Sequence, residues 1–186
     1  MRILSKNEFI VQRPKIIAEI KKGAVFIYPT DTIYGIGCDA TNDASVRKIR
    51  ELKGRYTAPF SVIATSIEWI KDNCELSDKA KGWLVKLPGP YTLILNLKNP
   101  NAVCAQANMG MKTIGVRIPD NWFASIVADA GRPIITTSVN LAGNPPATKR
   151  EELEQFAVDF IIFEGDKQGK PSTVIDLTKD GKILRQ

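Results

Sequence analysis

Pro29-Thr30-Asp31-Thr32-Ile33-Tyr34-Gly35-Ile36-Gly37 is the stretch whose reading decides the fold. It follows Ala24-Val25-Phe26-Ile27-Tyr28, an apolar run bounded by Gly23 and Pro29. That run is β-branched and aromatic and too short for a helix, which predicts a buried strand. Pro29 has no N–H for a sheet ladder and ends the strand. Two threonines, an aspartate and a tyrosine then crowd together. Gly35 and Gly37 permit a sharp turn or close backbone approach to a ligand. Small hydroxyls and glycines at the end of a buried strand suit a small-molecule site. A turn whose Thr and Asp side chains bond their own backbone is the competing reading.

Outward from this stretch, strands and helices alternate. Upstream, Ile3-Leu4 predicts a short strand and Pro14 to Lys22 a helix with Ile16, Ile17 and Ile20 on one face. Downstream, Asn42 or Asp43 caps a helix with Val46, Ile49 and Leu52 at helical spacing, running into Lys53-Gly54-Arg55. Phe60 to Ala64 reads as a strand, then helices follow near 67–71 and 77–87, and Pro88-Gly89-Pro90 breaks the chain. Tyr91 to Leu97 and Ile114 to Ile118 read as strands. Residues 98–112 between them are polar and irregular and read as a mobile loop. Asp120 is placed to cap a helix with Trp122, Phe123, Ile126, Val127 and Ala130 on its face, ending at Gly131. Pro133-Ile134-Ile135 leads into Thr136-Thr137-Ser138-Val139-Asn140. Thr148 with Glu151 has the capping-box pattern. Val158 to Phe163 and Thr173 to Leu177 read as late strands, and Ile183-Leu184 as an edge. The connections after the strands near 24, 60 and 114 suit helical crossovers, and those between the late strands suit antiparallel pairing. The expectation is one α/β (α+β) domain, 1–186, around a mixed sheet.

The 186 residues are 44% hydrophobic, enough for a full core. No apolar run approaches the ~20 residues of a membrane span, and the N-terminus has no apolar signal core. Cys38, Cys74 and Cys104 are odd in number and widely spaced, with no zinc or redox pattern. A reduced, cytoplasmic setting is the simple expectation. Cys38 reads as a small buried filler, with a thiol role as the rival. There is no histidine, which excludes imidazole bases, Ser-His pairs and His-ligated metals. A net charge of +6 favours an anionic partner, phosphates or RNA.

Polar clusters recur at element ends. Lys53-Gly54-Arg55 offers a point charge and a planar fork that together suit a polyphosphate. A solvated helix end, favoured by the helix dipole, is the alternative. Thr113 and Arg117 frame a strand in which the arginine is enclosed by apolar neighbours. Such an arginine needs a carboxylate, from the protein or from a ligand. Thr136, Thr137, Ser138 and Asn140 supply hydrogen-bonding groups directly after a strand, with Gly143 close by. Ser172 opens a late cluster through Asp176. No Walker signature is present, and Gly35-Ile36-Gly37 lacks the third glycine of a dinucleotide loop.

Taken in order, Pro29-Thr-Asp-Thr-Ile-Tyr-Gly35, Lys53-Gly-Arg55, Pro88-Gly-Pro-Tyr-Thr-Leu93, Gly115-Val-Arg-Ile-Pro119, Ser138-Val-Asn140 and Ser172-Thr-Val-Ile-Asp176 resemble the motifs of the YrdC-like family. The likeness covers nearly the whole chain, and six motifs in one order are specific. It looks like the short form, whose TsaC members are threonylcarbamoyl-AMP synthases, and the expectation is that it lacks the extra C-terminal domain of longer relatives. Val139 and Ala142 stand where alanine and serine are frequent. Tyr56-Thr57-Ala58 replaces a commoner proline-containing stretch, and Val62 lies near a histidine of some members.

The resemblance implies a twisted open mixed sheet flanked by helices, with a basic concave cleft. It implies synthesis of threonylcarbamoyl-adenylate and pyrophosphate from L-threonine, bicarbonate and ATP, for threonylcarbamoyl-adenosine modification of tRNA. Thr32, Arg117 and Thr136 would bind threonine. Lys53, Arg55, Thr113, Ser138, Asn140 and Ser172 would face ATP, Lys53 and Arg55 supplying charge stabilisation with no protein nucleophile. Tyr34 would wall the pocket. Mg2+ would arrive with ATP. Downstream partners would be threonylcarbamoyl-transfer proteins of the TsaB, TsaD and TsaE type. Two rivals stand beside this reading. One is a non-catalytic tRNA or double-stranded RNA binder using the same cleft. The other is a carbamoyl-transfer module like that of hydrogenase-maturation proteins, whose zinc-finger-like cysteines are absent here.

Overall fold

The computed structural model describes residues 1–179 and 181–185. The first half of the chain forms β1 (Arg2–Leu4), α1 (Lys6–Val11), α2 (Arg13–Lys21), β2 (Phe26–Tyr28), β3 (Gly35–Gly37), α3 (Asp43–Lys53), β4 (Ser61–Ile63), α4 (Ile67–Asn73), α5 (Asp78–Leu84) and β5 (Tyr91–Asn96). Then come α6 (Ala105–Asn108), β6 (Thr113–Arg117), α7 (Phe123–Ala130), β7 (Ile134–Ser138), α8 (Arg150–Leu153), β8 (Phe160–Ile162), β9 (Thr173–Asp176) and β10 (Lys182–Arg185). The strands make one ten-stranded mixed sheet in the order β1-β8-β2-β3-β7-β4-β6-β5-β9-β10.

Side chains alternate across a strand, so the two faces can be followed along the register. One face is largely apolar. Ile27, Ile36, Val62, Leu93, Leu95, Ile114, Val116, Ile135, Ile161 and Ile175 share its core with Val46 and Ile49 of α3 and Leu84 of α5. The opposite face is divided. Over β8 and β2, Phe26, Tyr28, Phe160 and Ile162 meet Ile16 and Ile20 of α2 and Phe123, Ile126 and Val127 of α7. Burying such side chains contributes roughly 1.5–3 kcal/mol each, which fixes those helices in place. Further along the same face the alternating positions become mostly polar or small, Ser61, Thr92, Thr113, Gly115, Arg117, Thr136, Ser138 and Asp176, with Ile94 and Val174 between them. Nothing there recruits an apolar helix face, and a cleft lies in its place.

The short strand β3 explains the glycines of the opening motif. The Tyr28 ring lies over them: a Cβ at Gly35 would come within 2.9 Å of it, and one at Gly37 would strike the Ile135 carbonyl. These glycines therefore admit a neighbouring side chain and strand. The expected direct crossover from β2 is absent, because β3 pairs back on β2 antiparallel and only then does α3 begin.

Three other expectations are corrected. The late strands β8 and β9 do not pair with each other: β8 lies parallel to β1 and β2, and β9 parallel to β5, leaving only β9–β10 antiparallel. Residues 98–112 are packed, with Ala102, Val103, Ala107 and Asn108 buried. The Cys104 N–H donates to the Ala40 carbonyl at 2.9 Å, and the Phe60 N–H to the Ala107 carbonyl at 2.9 Å. Two helix starts also shift. Trp122 occupies the N-cap of α7, the Asp120 N–H being engaged by Asp31. Glu152, one residue beyond Glu151, accepts from the Thr148 and Lys149 N–H groups. Cys38 is fully buried, as a filler should be, and burial raises its thiol pKa.

Candidate active site

The cleft occupies about 460 Å³ on the uncovered half-face. Its floor is β4, β7, β6, β5 and β9, and the β2–β3 loop forms one wall. Thr30 shapes that loop: its Oγ1 donates to the Ile33 carbonyl at 2.7 Å and accepts the Thr32 N–H at 3.1 Å. The self-bonded turn and the site are thus the same object, because the turn leaves Thr32 on the cleft surface. The β6–α7 turn holds the loop from outside, through Asn121 Nδ2–H to the Pro29 carbonyl at 2.8 Å.

Arg117 and Asp31 meet beneath the cleft. The guanidinium Nη2 donates to Asp31 Oδ1, and both side chains are nearly inaccessible, at 6% and 9%. Asp31 Oδ2 accepts the Asp120 N–H at 3.0 Å. Of the two carboxylates open to Arg117, the structure supplies the protein's own. Arg117 still lines the cleft, and its buried Nε has no partner.

Thr113, Thr136 and Ser138 line the cleft as their strand positions require. Tyr34 also walls it. Its hydroxyl donates to the Gly165 carbonyl at 2.7 Å and accepts the Glu164 N–H at 3.0 Å. Burial pushes this hydroxyl up to about 12. It pins the segment after β8 and stays protonated near neutral pH. Ser172 is buried, with its Oγ 2.8 Å from Thr92 Oγ1.

Lys53 and Arg55 part company. The αL glycine Gly54 (φ 58°) caps α3 between them and turns the chain. Arg55 reaches the cleft and, with Ser138, also borders a second cavity of about 300 Å³ that includes Asn140, Ala142 and Gly143. Lys53 points inward instead of extending from a solvated helix end. It is 2% exposed and its Nζ donates to Asn140 O and Asn140 Oδ1, both at 2.8 Å, and to Ser138 O. Burial, and Arg55 beside it, pull its pKa down to about 8.

Sequence reasoning missed Ser61, Thr92 and Arg185, which also line the cleft beside Thr137 of the expected cluster. Arg185 donates through Nε and Nη2 to the Ser172 carbonyl at 3.0 and 2.8 Å. Its neighbours in Lys182-Ile183-Leu184 gave no polar cluster to notice. Burial lowers the pKa of both Arg55 and Arg185. The next cause for Arg55 is Arg185, and for Arg185 it is Arg117. Three mutually repelling guanidiniums thus border a space whose lining has one carboxylate, Asp176. No group of three or more metal-ligating side chains occurs among the described residues. Among them, too, no helix is long and apolar enough to cross a membrane.

Comparison with known proteins places this geometry. A threonylcarbamoyl-AMP synthase of Bacillus subtilis is 36% identical over 97% of this chain, which spans 54% of that relative's length. One of Vibrio campbellii is 32% identical over 92% of the chain and is itself covered over 97%. The crystal structure of P. abyssi Sua5 complexed with L-threonine superposes with a TM-score of 0.86 at 27% identity, covering 99% of this chain and 56% of that one. The Sua5, YciO and YrdC family model, described as "Telomere recombination", matches residues 18–186. A match of that extent, on a fold shared to this degree, makes the chain a member of the Sua5/YciO/YrdC family.

Proposed function

We propose that the cleft binds L-threonine and ATP, and that the chain is an L-threonylcarbamoyladenylate synthase serving tRNA modification. The observation that carries this reading is Arg117: a buried arginine at the cleft floor with an unpartnered Nε, beside the hydroxyls of Thr32 and Thr136. A guanidinium fork matches a carboxylate in two-pronged geometry. The L-threonine held by the Sua5 relative supports that assignment. The second cavity shares Arg55 and Ser138 with the cleft and suits the nucleotide.

The chemistry asks for positioning and charge neutralisation. The amine of threonine combines with bicarbonate to give a carbamate and water. A carbamate oxygen attacks the α-phosphorus of ATP, the bond from that phosphorus to the bridging oxygen breaks, and pyrophosphate leaves with the electron pair. Arg55 and Arg185 offset the charge on the phosphates. Thr113, Ser138 and Ser172 supply hydroxyls for orientation. Mg2+ carried by the triphosphate would screen its oxygens.

The RNA-binding alternative is not favoured. A floor of small hydroxyls at the base of a walled cleft serves a small molecule, whereas phosphate backbone needs only surface cations. Pyrophosphate release is the test, with each substrate omitted in turn. Release is expected only with ATP, L-threonine and bicarbonate together. Equal release without threonine would overturn the proposal.

A further inference from the structure

Lys53 and Arg55 look like one cationic pair in the sequence, yet they do different jobs in space. An ammonium has three N–H donors, and Lys53 spends all three on oxygens of a single turn: Ser138 O, Asn140 O and Asn140 Oδ1. Its backbone joins the same turn, where the Ala142 N–H donates to the Lys53 carbonyl at 2.8 Å. Asn140 is engaged at both ends of its amide. Its Oδ1 accepts the Ser138 hydroxyl at 2.6 Å, and its Nδ2 donates to the Asn144 carbonyl at 2.6 Å. Residues 138–144 are therefore wrapped around one buried charge. Lys53 and that turn both line the second cavity, the turn through Ser138, Asn140, Ala142 and Gly143, but the Lys53 ammonium has its three donors committed to the turn. A phosphate could reach Nζ only by displacing one of its three oxygens, whereas Arg55 borders both cavities and needs no such exchange.

We infer that Lys53 is a positioning residue: it folds the 138–144 turn into the wall that receives the nucleotide, and Arg55 alone of the two touches the polyphosphate. This rests on the ATP reading of the cleft and deepens it. The ammonium acts as the hub of a backbone turn, and its removal takes a charged donor from the Ser138 and Asn140 carbonyls and leaves the Asn140 amide oxygen with the Ser138 hydroxyl alone.

Two measurements test it. In the first, the wild-type protein with 15N-labelled lysine is titrated with a methylene analogue of ATP and followed by NMR. The Lys53 ammonium is expected to keep its hydrogen-bonded, exchange-protected signal when the analogue binds. A hydrogen-bond coupling from its nitrogen to phosphorus would overturn the inference. In the second, calorimetry gives the affinity of the same analogue for Lys53→Met, Asn140→Ala and the double variant. Lys53→Met is expected to weaken binding about tenfold or more, and the double variant to bind no worse than Lys53→Met. Two effects that multiply, or an unchanged affinity in folded Lys53→Met, would overturn it. Failure of the wild-type protein to bind the analogue would count against the ATP reading, and is visible before any variant is made.

Discussion

Arg117 on β6 and Asp31 in the β2–β3 loop form a buried ion pair across a sequence separation of 86 residues. The Asp31 carboxylate also accepts the Asp120 N–H, so it is fixed from two sides while the Arg117 Nε stays unpartnered. Removing one member of a buried pair typically costs ~3–5 kcal/mol, because the other charge is stranded. Asp31→Ala should therefore lower the melting temperature sharply. If Arg117 receives the substrate carboxylate, saturating L-threonine should recover more of that loss than it adds to the wild type. Differential scanning fluorimetry with and without L-threonine decides it. Equal increments in both proteins would separate Arg117 from the threonine site.

Arg55 gives a cleaner handle on the nucleotide. It is half-buried, its Nη2 donates to the Pro59 carbonyl at 2.8 Å, and no carboxylate among the described residues forms an ion pair with it. Arg55→Ala should fold and melt near the wild type. Its ATP affinity should fall about 10–100-fold, as for a lost charge-assisted bond of ~1.5–3 kcal/mol. Calorimetry showing wild-type affinity would return Arg55 to the solvated surface. The double substitution of Lys53 and Arg55 is a poorer experiment, because Lys53 is buried and its loss also disturbs the 138–144 turn.

How far the sequence could be read depended on the range of the forces involved. Side chains alternate along a strand, which sets Val116 and Ile118 opposite Arg117, and in the structure those two lie in the core while Arg117 lines the cleft. The carboxylate that meets Arg117 stood inside the opening motif, but no local pattern couples residues so far apart. Residues 98–112 were misread because Ala102, Val103 and Ala107 are small and irregularly spaced. Their burial comes from backbone bonds to Ala40 and Phe60, which composition does not announce. Lys53 reads as a helix-end cation until the turn that consumes it is brought alongside. Arg185 was overlooked because Lys182-Ile183-Leu184 is exposed and carries no motif.

Gly115 tests the floor of the cleft. It faces Ser61 across the β4–β6 pair, and an added Cβ would collide with Ser61 Oγ and approach Ser61 Cβ to 3.1 Å. Gly115→Ala should cost about 1–3 kcal/mol, the usual range for overpacking. The clash names its own suppressor. Ser61→Gly removes the obstructing atoms, so the double variant should be more stable than Gly115→Ala alone. Chemical denaturation of the three variants measures the coupling. Simple additivity would mean that the strain lies elsewhere.

The last prediction concerns pH, where Lys53 has opposite effects on stability and binding. Its folded pKa, about 8, lies below the ordinary value of 10.5, chiefly because burial penalises the ammonium. Between those values the unfolded chain holds the proton and the folded chain does not, so this group makes the protein more stable as pH rises. The cysteines pull the other way. Burial raises the pKa values of Cys38, Cys74 and Cys104 above the usual 9.0, so folding loses their contribution as pH climbs past that point. Subtracting the unfolding free energy of Lys53→Met from that of the wild type removes the thiol background. The difference should increase from pH 8 toward 10.5 by up to about 1.4 kcal/mol per unit. ATP affinity should fall over the same interval in the wild type, since a neutral amine has one donor fewer to hold the 138–144 turn. In Lys53→Met it should stay level through pH 8–9. A stability difference that is flat with pH would mean that Lys53 stays protonated, and an equal loss of ATP affinity in both proteins would place the titrating group elsewhere.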